Sequence, residues 1–284
     1  HYAIPPGQPG GTRHYDLARE LIASGHRPLI IAANFNHWSR KNYHHLNHEL
    51  GRESREKGVP FLWLATPEYG GKGARLNNML TYSMRLHTLL ARNPSNQPDI
   101  IIGSSPHLFA AFAGYWLAHR LKIPFVLEIR DIWPLSMVEV AGVSPWHPMV
   151  ALLAWMEKWL YRRADGIVSL LAGTDTHIAA CVATQKPFLW LPNGINIEKL
   201  PLFSEKLHRS PFTILYAGSH GEANDLDCIL EAAGLLQEAK VPVRFEFVGQ
   251  GPEKPRLIKK ARKMRIANVS FEDPLPKELI YGRM

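Results

Sequence analysis

The chain has 284 residues, 46% of them hydrophobic and 20% charged, which fits an ordinary soluble globular protein of one large or two ordinary domains. Its two cysteines, Cys181 and Cys228, have no metal-ligand spacing and suit a reducing cytosol, no signal peptide is visible, and no apolar run approaches the roughly 20 residues of a membrane span. A net charge of +8 could draw nucleic acid, but no stacking-aromatic motif accompanies the basic residues, which leaves an anionic membrane surface or phosphorylated ligands.

The chain opens on a loop rich in glycine and proline that runs directly into a helix pattern. Thr12 is a candidate cap, Tyr15, Leu17, Ala18, Leu21 and Ile22 are the apolar positions, and Gly25 is the stop. Short apolar runs at 28–33, 59–64, 99–103, 124–129, 166–171 and 188–191 read as buried strands. Between them lie helix patterns at 76–90, ended by Asn93-Pro94, then after His107 to His119, and at 149–162 with Leu152, Leu153, Met156, Trp159 and Leu160 as core. A further helix falls between the last two strands. The polar stretch with His37, His44, His45 and His48 reads as a surface excursion, because no acidic or thiol ligand completes a metal set.

The rhythm restarts after Pro192-Asn193-Gly194 and an aperiodic segment up to Pro211. Strands are expected at 212–217, 243–248 and 268–271, with helices at 225–239 and 253–264. The dense basic run from Lys259 to Arg265 reads as the solvated face of the second helix. Alternating strands and helices argue for parallel sheets with helices on both faces. The expected domains are 1–194 and 195–284, both expected to have trimmed ends, the first without an opening strand and the second with three strands.

Ligands of open parallel sheets bind beyond the carboxyl ends of the strands. The candidate loops are therefore 5–11, 34–38, 104–107 and 130–134, then 218–221 and 249–252. Gly218-Ser219-His220-Gly221 leaves a strand and enters a helix, where backbone N–H groups and the helix dipole favour an anion. Two glycines there serve turn geometry equally well. Arg130 and Asp131 end a strand and are followed by Trp133-Pro134. They either pair to lock the loop or meet a polar substrate, Asp131 holding a hydroxyl and Arg130 facing developing negative charge. Ser104, Ser105 and His107 lack the context of a nucleophile elbow, which argues against a serine hydrolase.

Taken in order, His1-Tyr2-Ala3 with the glycine loop, Gly25-His26, Ser104-Ser105-Pro106-His107, Glu128-Ile129-Arg130-Asp131-Ile132-Trp133-Pro134, Tyr161 to Asp165, Leu191 to Ile195, Tyr216 to Gly221 and Val248 to Glu253 resemble bacterial family 4 glycosyltransferases of the GT-B fold. The likeness is nearest to those of O-antigen, capsule or exopolysaccharide assembly, the fucosamine-transferase-like group included. It implies two Rossmann-like α/β domains. The second would hold a nucleotide sugar, a UDP-sugar, against Gly218, Ser219, His220, Gly221, Gly249 and Gly251. The first would hold the acceptor, with Gly10 and Gly11 facing the donor phosphates, Ser105, His107 and Trp133 on the acceptor side, and Asp131 and Arg130 as catalytic residues. Transfer would usually retain anomeric configuration, without metal or other cofactor. The acceptor would be a saccharide on a polyprenyl diphosphate, at the cytoplasmic face of the inner membrane.

Three departures qualify the resemblance. Relatives often carry an Arg and a Lys on the diphosphate loop, so His220 or another base must substitute. Many have His where this chain has Arg130. Their pair of glutamates separated by seven intervening residues has no match after Phe271, so the chain is expected to be a fragment, and a non-catalytic nucleotide-binding module or a sugar-nucleotide epimerase of the same fold remain alternatives.

Overall fold

The structure, a computed structural model, describes residues 1–8, 10–37, 39–46, 48–90, 97–183, 185–195, 197 and 211–283. Trp38, the Asn93-Pro94 helix stop and most of the aperiodic segment before Pro211 lie outside them. The chain divides into two compact units, His1–Gly194 and Ile195–Met284.

In the first unit, α1 (Arg13–Ala23) leads to β1 (Ile30–Ala33). The helix stops as its glycine demands: Gly25 takes φ +86°, its N–H bonds the Ile22 carbonyl, and that of His26 bonds Leu21. Thr12 does not cap it; its hydroxyl donates to Asp16 at 2.6 Å instead. Only part of the expected apolar face is buried, for Tyr15 and Ala18 pack inward while Leu21 and Ile22 stay about 40% exposed.

The strands β2 (Gly51–Glu56) and β3 (Val59–Leu64) form a hairpin, and β1 pairs parallel to β3, giving the sheet order β1-β3-β2. No strand is expected from the polar sequence of β2, which has no apolar run. It becomes an antiparallel edge strand because Lys57 and Gly58, both at positive φ, turn the chain in two residues, and an edge tolerates charge. The carbonyl of His1 accepts from Ala33 N–H at 2.9 Å, so the first residues run beside β1.

Next come α2 (Lys72–Leu90), β4 (Ile101–Ser104), α3 (Leu108–Leu121), β5 (Phe125–Ile129), the short α4 (Leu135–Glu139), α5 (Pro148–Arg163), β6 (Gly166–Ser169), α6 (Thr174–Cys181) and β7 (Phe188–Trp190). Strands β4 to β7 form a second sheet in chain order, parallel throughout. Their carboxyl ends therefore share one edge. Beneath it, Leu127, Leu153, Leu160 and Ile167 are almost fully buried, each worth about 2 kcal/mol of apolar transfer. The stripe on α5 is only partly core: Leu152 and Trp155 stay exposed.

The second unit carries β8 (Phe212–Ala217), α7 (Leu226–Glu238), β9 (Val243–Val248), α8 (Lys254–Lys263), β10 (Val269–Glu272) and α9 (Lys277–Tyr281). Its parallel sheet has the order β10-β9-β8, with Leu226, Leu230, Phe245, Phe247 and Leu257 in the core. Lys259, Arg262, Lys263 and Arg265 are exposed, while Lys260 pairs with Asp227 and Glu231 of α7.

Candidate active site

The carboxyl ends of β4 and β5 and the first turn of α1 meet over one buried carboxylate. Glu128 is 3% exposed. Its Oε1 accepts from Arg13 Nε at 2.9 Å, and its Oε2 accepts from His14 Nε2 at 2.8 Å and from the Ser104 hydroxyl at 2.5 Å. Burial pushes the Glu128 carboxyl up, but the bonds from His14, Ser104 and Arg13 more than reverse this and hold it well below the usual carboxylate range. Arg13 is equally committed. Its Nη groups donate to the carbonyls of Leu191 at 2.8 Å and Pro192 at 2.9 Å, just past β7. One guanidinium thus ties α1 to the ends of β5 and β7.

An ionised carboxylate only accepts, so His14 Nε2 bears the proton and Nδ1 carries the lone pair of the neutral ring. Burial lowers the His14 pKa, with Glu128 opposing, which favours that neutral form. A carboxylate-oriented imidazole at a strand end can accept a hydrogen bond or a proton from a ligand hydroxyl.

Ser105, His107, Arg130, Asp131 and Trp133 fall in the same neighbourhood, in different roles. The Ser105 hydroxyl is buried and accepts from the N–H of Arg130 at 2.7 Å and of Asp131 at 3.3 Å, which clamps the loop after β5. His107 is buried and caps α3, its Nδ1 accepting from Ala110 N–H at 3.2 Å; its Nε2 has no partner among the described residues. Asp131 accepts from Trp133 Nε1 and from the Ser136 hydroxyl, each at 3.2 Å. It forms no ion pair with Arg130. The Arg130 Nε is buried and unbonded among the described residues, and burial lowers the guanidinium's pKa while Glu128 opposes. A desolvated cation with an open donor seeks an anion. In the opening loop Gly7 and Gly10 take φ of +88° and +124°, which explains those glycines, whereas a Cβ on Gly11 would meet open space.

The second unit's loops are built differently. His220 N–H donates to the Gln250 carbonyl at 3.1 Å, and the His220 carbonyl accepts from Glu253 N–H at 3.0 Å. A Cβ on Gly249 would stand 1.9 Å from the Gly218 carbonyl oxygen, and one on Gly251 2.3 Å from that of His220. These glycines are required because one loop lies on the other. The His220 ring, expected to stand in for the missing basic residues, is fully buried beside Tyr216, Phe247 and Phe271, and burial together with Lys254 lowers its pKa. The N–H groups of Ser219 and Gly221 make no backbone bond among the described residues. Next to Gly221 lies an open cleft of about 290 Å³ whose charged lining is Glu222, Asp225, Asp227, Glu253 and Arg256, with Arg256 already paired to Asp227 and Glu253.

Arg13, His14 and Glu128 were not singled out from the sequence. The available signal was Glu128 itself, a charge inside an otherwise apolar strand, where burial demands partners.

Residues 10–194 match the glycosyl transferase 4-like domain family. Over 273 residues the chain is 24% identical to a protein of Escherichia coli K12, WcaI, whose name assigns it provisionally as a colanic acid biosynthesis glycosyl transferase; 90% of this chain and 66% of WcaI are covered, so the chain spans about two thirds of that relative. Among solved structures, sucrose-phosphate synthase of Thermosynechococcus elongatus superposes with a TM-score of 0.70 at 12% identity, over 98% of this chain and 69% of that one. WaaG, a glycosyltransferase involved in lipopolysaccharide biosynthesis, gives 0.61 at 14%, over 98% and 71%. HepE of Anabaena, in complex with UDP and glucose, gives 0.59 at 13%, over 99% and 70%. At these identities the structural likenesses show the GT-B fold. With 10–194 matched, well over half of its length, the chain belongs to the glycosyl transferase 4-like family.

Proposed function

We propose that the full-length protein is a glycosyltransferase of cell-surface polysaccharide synthesis, moving a sugar from UDP to a saccharide on a polyprenyl diphosphate with retention of configuration. The observation that carries this reading is the Arg13–Glu128–His14 network with Arg130 beside it, in a family named for glycosyl transfer and with a relative named for colanic acid biosynthesis. Departure of a nucleoside diphosphate leaves negative charge that donors must meet. Arg130, whose Nε is buried and unbonded among the described residues, supplies such a donor within the first unit. Asp131 holds the loop that presents Arg130, and His14 receives an acceptor hydroxyl.

Contact with a membrane surface is part of the same reading. No helix among the described residues is long and apolar enough to cross a bilayer. Yet α3 and α5 expose Trp116, Leu152 and Trp155, with Arg120, Lys158 and Arg162 exposed on the same two helices and Arg163 lying over the Trp159 ring. Tryptophan with basic neighbours suits the lipid headgroup level, where a lipid-linked acceptor is found.

The test is transfer by the full-length protein from a panel of nucleotide sugars to a polyprenyl-diphosphate-linked acceptor. Transfer from a UDP-sugar is expected, and Arg130→Ala should lower it roughly 100-fold without lowering the melting temperature. A folded protein that transfers from no donor in the panel sinks the reading; one that binds UDP without transfer is a nucleotide-binding module.

A further inference from the structure

A second cluster of functional side chains lies away from the edge just described, between α5 and α6. Glu157 projects from α5, and His177 and Cys181 are four residues apart on α6, hence on one helical face. His177 Nε2 stands 3.4 Å from Glu157 Oε1 and 3.5 Å from Cys181 Sγ, and one ligand atom from each residue lies within 4.8 Å of the other two. Donors held about 2.0–2.3 Å from a tetrahedral zinc ion sit roughly 3.3–3.6 Å from one another. The two separations from His177 match that geometry, and the third lies within 4.8 Å.

The charge balance points the same way. The Glu157 side chain is 6% exposed, yet among the described residues no lysine or arginine forms an ion pair with it. Tyr161, also buried, donates its hydroxyl to Glu157 Oε1 at 2.9 Å and orients the carboxylate, as outer partners of metal ligands do. The His177 side chain is 25% exposed and Cys181 is half-buried, so an ion and its water can reach the cluster from solvent.

We propose that Glu157, His177 and Cys181 bind a zinc-type divalent cation, with water in the fourth position, and that the ion pins α6 to α5. Binding forms a metal–sulfur bond and releases the thiol proton to the buffer. The site is structural and does not depend on the transfer reaction.

The experiment uses the full-length protein, stripped with a chelator and titrated with zinc against a chromophoric competitor, then with cobalt, whose thiolate complexes absorb in the near ultraviolet. One equivalent of zinc should bind, the melting temperature should rise, and cobalt should give the thiolate band. Cys181→Ser and His177→Ala should each weaken zinc at least roughly 100-fold, whereas Cys228→Ser should not. If His177→Ala misfolds, Glu157→Gln, which keeps an acceptor for Tyr161, should still lower affinity. No stoichiometric binding, or equal binding by wild type and Cys181→Ser, would overturn the proposal and leave a His177–Glu157 ion pair in its place.

Discussion

The end of β5 in the first unit and the paired glycine loops of the second differ in what they do with their special residues. Both follow parallel strands, where ligands of such sheets bind. At β5, charged side chains are drawn inward around Glu128, and Arg130 keeps an open donor. In the second unit the glycines at 249 and 251 are occupied by backbone packing, and the His220 ring is shut in. A glycine-bearing loop is therefore weak testimony to a ligand until its neighbours are known. A buried carboxylate with three donors identifies a built site more directly.

The largest effect is expected at Glu128. Glu128→Ala removes three bonds and leaves Arg13 buried beside no carboxylate, which should cost about 3–5 kcal/mol, read by chemical denaturation. A loss below about 1 kcal/mol would mean that the network adds little beyond ordinary hydrogen bonds. Gly249→Ala should follow at about 3 kcal/mol, because its Cβ would overlap the Gly218 carbonyl. If it melts like wild type, the loops are not stacked as described.

The pH dependence is smaller and has a definite sign. Glu128 and His14 both titrate lower in the folded state than their ordinary values of 4.5 and 6.5. For each, the unfolded chain binds more protons, so stability is fully present above the ordinary value and is lost as pH falls below it, first for His14 and then for Glu128. Each group contributes a slope of at most about 1.4 kcal/mol per pH unit. Denaturation between pH 7 and 4 should show this loss, reduced below pH 6.5 in His14→Gln. An unchanged slope would remove His14 from the network.

The smallest effect sharpens the contrast within the second unit. A Cβ on Gly221 would meet only Ser219 Oγ at 3.6 Å and Asn224 Nδ2 at 3.7 Å. Gly221→Ala should therefore leave stability within about 0.5 kcal/mol, while weakening UDP if the loop cradles its diphosphate. Equal UDP binding would count against that cradle.

Most strands were legible as short apolar runs, as strands covered on both faces must be, although β7 and β8 expose Leu189, Trp190 and Phe212 and β9 alternates Arg244 and Glu246 with buried residues. The exception, β2, hid behind its charges, since an edge strand owes its pairing to a turn and a partner rather than to burial. The neighbourhood of Glu128 was legible in part as loop positions. Arg130, Asp131, Ser105, His107 and Trp133 were readable because they follow strands; Arg13 and His14 were not, since they reach Glu128 across 115 and 114 residues of sequence.

Composition and periodicity alone determined the α/β class and the parallel strands, because burial patterns and turn chemistry are local and repeat along the chain, and the order of the motifs carried the family resemblance. Only the tertiary structure decided which charged groups pair, which glycines are packing necessities and where Glu157, His177 and Cys181 converge. Those outcomes depend on distances between residues far apart in sequence, and a charge or a glycine carries no mark of its eventual neighbour.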